Sequence, residues 1–120
     1  MDGSPYYKSI GCYFNRNDQN AYAWSEGEKD LTDLTLESCI TICEGRGEFE
    51  YVGMEYGKEC WCSAESPDSL ESRDGECNMP CSGDPVQVCG GPLVISVHKI
   101  KPGRAKYIKP LNLTNPLSIR

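Results

Sequence analysis

The chain has 120 residues, 38% of them hydrophobic, and eight cysteines. A core this thin needs cross-links, and an even cysteine count points to disulfides and an oxidising compartment, so the chain is read as secreted or extracellular. Residues 1–97 hold all 18 acidic residues against six basic ones, a balance that argues against nucleic acid or an anionic membrane as partner.

Residues 7–14 are rich in β-formers and predict a strand carrying Cys12. Residues 15–29 are polar apart from Tyr22, Ala23 and Trp24 and read as a loop. Thr35 is the expected N-cap of a short helix, with Ser38 three residues on as its partner. Leu36, Cys39, Ile40 and Cys43 recur at helical spacing and define the buried face; Gly45 and Gly47 offer the left-handed residue expected to end it. Residues 50–54 and 59–63 predict a hairpin joined by the turn chemistry of Glu55-Tyr56-Gly57-Lys58. Residues 64–76 read as an acidic surface loop, and Pro80 and Pro85 bar a regular helix after Cys77. Residues 93–98 are the most β-like run of the chain. We expect one domain over residues 7–100 and a basic, proline-containing tail or linker over 101–120, which carries the sequon Asn112-Leu113-Thr114. No apolar run is long enough to span a bilayer, so no membrane insertion is expected.

The cysteine spacings carry the most information. Residues four apart on a helix share a face about 6 Å apart, and residues two apart on a strand share a face about 6.5–7 Å apart. Cys39 and Cys43 on the helix therefore match Cys60 and Cys62 on the strand, in either of two pairings. Cys12, Cys77, Cys81 and Cys89 remain, with three pairings open. Zinc is the competing reading, but zinc knuckles favour two to four intervening residues and histidine ligands. Cys60-Trp61-Cys62 has a single intervening residue and the only histidine is His98, so no metal or cofactor is expected. The predicted class is α+β: a small disulfide-rich domain with an antiparallel sheet packed on one short helix.

Gly11-Cys12-Tyr13, Leu36-Glu37-Ser38-Cys39 with Cys43, the run from Tyr51 to Cys62, Cys77 with Cys81-Ser82-Gly83-Asp84, and Cys89-Gly90-Gly91 closely resemble the WSC domain, a cysteine-rich module similar to PAN and apple domains. The resemblance covers about residues 7–100. It implies an extracellular domain with disulfides 12–77, 39–60, 43–62 and 81–89. It also implies the family's role in fungi, binding wall polysaccharide such as β-glucan, with chitin, xylan and mannan as further candidates. Animal cell-surface members imply the alternative, a protein–protein interaction module. The loop at 15–29 and the basic tail lie outside the family pattern.

Sugar recognition needs flat aromatic faces for pyranose C–H edges and polar groups for hydroxyl pairs. Trp61 faces outward if its flanking cysteines face inward, Trp24 and Tyr22 lie in the polar loop, and Tyr56 sits at the turn. Asn78, Asp84 and Gln87 are the polar candidates, Asp84 being in a turn where aspartate commonly caps backbone N–H groups. Tyr13 and Tyr51 are read as packing residues. The acidic stretch Asp68, Glu71, Asp74 and Glu76 lacks EF-hand spacing and reads as a solvated loop. With no Ser/His/Asp arrangement and all cysteines committed to disulfides, the chain is read as a non-enzyme.

Overall fold

Two hydrophobic periodicities, one helical and one alternating, give this chain two layers, and disulfides tie them together. The computed structural model describes residues 7–15 and 26–101. Its elements are β1 (Tyr7–Phe14), β2 (Glu26–Glu28), α1 (Leu36–Glu44), β3 (Tyr51–Glu55), β4 (Glu59–Ser63), β5 (Pro80–Cys81), β6 (Asp84–Val88) and β7 (Val94–Ile100), with a 3₁₀ turn at Pro67–Ser69.

Helix α1 starts at a reciprocal cap: Ser38 N–H donates to Thr35 Oγ1 at 3.0 Å and Thr35 N–H donates to Ser38 Oγ at 2.9 Å. Serine thus does the work glutamate does in a full capping box, and Glu37 in the first turn complements the helix dipole. Leu36, Cys39, Ile40 and Cys43 are the buried residues of the helix, at the spacing expected. Its end differs from expectation. Gly45 is right-handed, with φ −75°, and the chain leaves through a tightened turn in which Arg46 N–H reaches the Cys43 carbonyl at 3.0 Å. That bond satisfies a terminal carbonyl without a left-handed residue.

The five-stranded sheet is antiparallel in the order β1-β7-β3-β4-β2. β3 and β4 form the predicted hairpin, turning through Tyr56 and Gly57, both at positive φ (55° and 75°). β7 inserts between β1 and β3, and β2 pairs with the outer edge of β4. The loop expected over 15–29 therefore gives way to a strand at its C-terminal end. β5 and β6 make a second, two-stranded sheet.

Helix α1 packs chiefly on β3 and β4. Between them lies the core of Leu34, Leu36, Ile40, Val52, Met54, Ile100 and six half-cystines. Cys39–Cys60 and Cys43–Cys62 join the helix to β4, Cys12–Cys77 ties β1 to the 70s loop, and Cys81–Cys89 closes the β5–β6 hairpin. Each such link contributes roughly 2–4 kcal/mol. Ser82 docks that hairpin on the segment before α1, accepting from Leu34 N–H at 2.9 Å and donating to the Leu31 carbonyl at 2.7 Å. A smaller cluster of Tyr51, Ile95 and Val97, flanked by Ile10, Tyr13 and Trp61, covers the other face of the sheet.

Candidate functional site

Strand alternation puts Cys60 and Cys62 in the core and Trp61 on the face away from the helix. The register sets Trp61 between two glycines, Gly53 on β3 and Gly27 on β2. The indole occupies the space over Gly27, where an added Cβ would come within 2.1 Å of Trp61 Cε3. Trp61 is half-buried; its Nε1–H donates to Glu59 Oε1 at 3.1 Å, and Lys29 Nζ stands 5.7 Å from the ring centroid. An amphipathic ring seated on backbone, fixed at its polar edge and partly in solvent, is suited to stacking on a sugar or a partner side chain.

Polar groups extend from this ring toward the turn of the hairpin. Glu59 lies directly opposite Glu55, one residue from the turn and about 7 Å along the strands from the Trp61–Gly53 rung. Glu55 is only 7% exposed and accepts from Asn15 Nδ2 at 2.6 Å. Burial pushes its carboxyl up to about 7, opposed by the Asn15 hydrogen bond and reinforced by Glu59, with Lys29 pulling the other way. A carboxylic acid poised near neutrality beside a second carboxylate is chemistry that glycosidases use. Here Glu55 is buried and engaged by Asn15.

The other predicted site residues are dispersed. Tyr56, 46% exposed at the hairpin turn, has Lys58 Nζ 5.8 Å from its ring centroid. Asn78 is exposed on the segment whose next residues, Met79 and Pro80, pack against Gly57, so Tyr56 and Asn78 belong to neighbouring stretches. Asp84 Oδ1 accepts from Val86 N–H at 3.1 Å, the backbone-capping role. Gln87 is engaged on both ends, accepting from Leu36 N–H at 2.8 Å and donating to Glu37 Oε1 at 3.0 Å. Tyr22 and Trp24 lie outside the described residues. Tyr51 is buried and Tyr13 half-buried, both packing against the outer cluster.

Asn15, Lys29, Glu55 and Glu59 were missed as surroundings of Trp61. Part of the signal was present, since Glu59 is two residues from Trp61 on one strand and Glu55 faces Glu59 across a three-residue turn. Among the described residues, the one group of potential metal ligands is Cys39, Cys43 and Cys60. All three are in disulfides, which leaves no thiolate to bind zinc. In the acidic loop, Glu71 and Glu76 pair with Arg73.

With this geometry in hand, the family model for the WSC domain matches residues 9–91. The chain belongs to the WSC-domain family. It is 32% identical over 96 residues to a WSC domain-containing protein of Arthroderma benhamiae, covering 79% of this chain and 13% of the relative. It is 35% identical over 86 residues to Kremen protein 1 of Homo sapiens, covering 69% and 17%. It is 28% identical over 109 residues to Xylosyltransferase oxt of Drosophila melanogaster, covering 90% and 12%. The chain thus spans less than a fifth of the length of each of these relatives. Its membership and its four disulfides fit an extracellular or cell-surface module. Among the described residues, no helix is long and apolar enough to cross a membrane.

Proposed function

We propose that this WSC domain is a non-catalytic carbohydrate-binding module that holds cell-wall polysaccharide, β-glucan first, against the Trp61 face. The observation that carries the reading is the indole itself: half-buried, seated over Gly27 and fixed by Glu59. A pyranose C–H face stacks on the ring, and the second oxygen of Glu59 accepts from a sugar hydroxyl. A platform this small binds weakly, because little area is buried against the cost of ordering. The repeating polymer recovers affinity through avidity.

A second reading, a protein–protein module, draws support from the aliphatic surface of β6, where Val86 is 86% and Val88 46% exposed. The two readings separate on a panel of insoluble β-1,3-glucan, chitin, cellulose, xylan and mannan. Under the first, the oxidised protein is retained by one of them, folded Trp61→Ala is released, and Val86→Ser is still retained. Failure of every polymer to retain the protein would sink the polysaccharide reading and transfer the function to the β6 surface. We also propose that residues 101–120 act as a basic linker.

A further inference from the structure

Among the described residues, α1 packs chiefly on β3 and β4 rather than on β1 and β7. There the sheet floors a groove of about 480 Å³, walled by the first turn of α1, the Asp74–Cys77 stretch and β6. This lies within the roughly 300–1,000 Å³ of small-molecule sites. Met54, Ser96 and His98 line it and alternate with Gly53, Ile95 and Val97, so it lies on the opposite face of the sheet from Trp61.

The lining has a distinctive chemistry. Val88, 46% exposed, gives an apolar side beside the buried Leu36 and Met54, while Tyr7 and Ser9 bring hydroxyls. Ser96 Oγ is buried beneath and accepts from Gly90 N–H at 2.9 Å. Glu37 and Asp74 are exposed carboxylates on the rim. The Gln87 hydrogen bond holds the Glu37 carboxyl below its ordinary range, and burial takes His98 down to about 4. Glu37 and Asp74 are thus the acidic groups among the groove's described lining residues, and no lysine or arginine is among them.

We propose that this groove is a second ligand site, selective for an amine-bearing sugar of one or two hexose units. The ammonium group lies between Glu37 and Asp74, the sugar hydroxyls meet Ser9 and Tyr7, and the ring's C–H face rests on Val88. Acidic sugars are repelled by the two carboxylates. An N-acetylated sugar fits the hydroxyl partners but loses the ionic contact. The site is independent of the Trp61 face.

The test is a ¹⁵N chemical-shift titration of the oxidised full chain with three probes: the β-1,4-linked glucosamine dimer, its N,N′-diacetylated form, and the β-1,3-linked glucose dimer. The glucosamine dimer should move the amides of Ser9, Gly75, Cys77, Ser96 and His98, and bind about three- to five-fold more tightly than the acetylated dimer. Asp74→Asn, at an exposed position, should melt like wild type and weaken that dimer about three-fold. Glu37→Gln should weaken it likewise, and Trp61→Ala should leave the titration unchanged. Equal affinity for the amine and acetylated dimers, or shifts confined to the Trp61 face, would overturn the proposal. So would an equal response to a lysine-containing peptide, because the sugar would then contribute nothing.

Discussion

Glu55 offers a quantitative test of the sheet face that carries Trp61. Its carboxyl is pushed from the ordinary 4.5 up to about 7, burial being the largest cause. The folded state therefore binds this proton more tightly than the unfolded chain does. Between pH 4.5 and 7 the native state holds the proton and the unfolded state releases it, so the stability associated with Glu55 is full at the acidic end and falls as pH rises. At about 1.4 kcal/mol per pH unit, the shift corresponds to about 3 kcal/mol lost by pH 8. Glu55→Gln keeps a carbonyl to accept from Asn15 Nδ2, the present bond being 2.6 Å, and has no charge to desolvate.

Guanidinium unfolding of the oxidised wild-type and Glu55→Gln proteins from pH 4.5 to 8.5 measures the difference directly. Carboxylates remote from Glu55 cancel in the comparison, as does His98, which burial affects alike in both proteins. We expect the two to agree within about 0.5 kcal/mol at pH 4.5 and the variant to be more stable by about 2–3 kcal/mol at pH 8. A difference that does not change with pH would refute the burial of Glu55. A variant less stable at pH 8 would show that the ionised carboxylate strengthens the fold.

Two further substitutions test the frame around the ring. Gly27→Ala puts a methyl where the indole lies, at 2.1 Å from Cε3, so the ring must swing away; it should cost about 1–3 kcal/mol and abolish polysaccharide retention. A folded Gly27→Ala that is still retained would mean the seat of the ring is irrelevant to binding. Cys39→Ser opens the Cys39–Cys60 link, whose ends are 21 residues apart, and leaves a hydroxyl in a fully buried site. It should lower stability by roughly 2–5 kcal/mol, read as the midpoint of the circular-dichroism melt, and an unchanged midpoint would contradict the stapled core.

Where local pattern coincided with burial, the fold was legible. Leu36, Cys39, Ile40 and Cys43 announce the helix face, the β3–β4 hairpin announces its strands, and their cysteine spacings match. The strand order was not, because β7 lies between β1 and β3 through contacts no local pattern encodes. β2 was hidden for a different reason. Glu-Gly-Glu has poor strand propensity, and only its pairing with β4 makes it extended. The same strand holds Gly27, whose lack of a side chain makes room for Trp61.

At the candidate site, alternation alone sent Trp61 outward. The burial of Glu55 could not be read, since an acid beside a hairpin turn ordinarily faces water; here Asn15, at the end of β1, reaches across to it. Gln87 looks like a free polar ligand in the sequence, but the Leu36 N–H already engages its acceptor. Asp84 carries the backbone cap that its turn position suggests.

The central claim is that sugar stacks on Trp61, and the indole N–H resonance tests it most directly. That signal, assigned by its loss in Trp61→Phe, should shift and saturate as soluble β-1,3-glucan fragments are added to the oxidised protein. The amides of Gly27, Gly53 and Glu59 should move with it. An indole resonance that stays fixed while fragments of every retained polymer bind elsewhere would contradict the account.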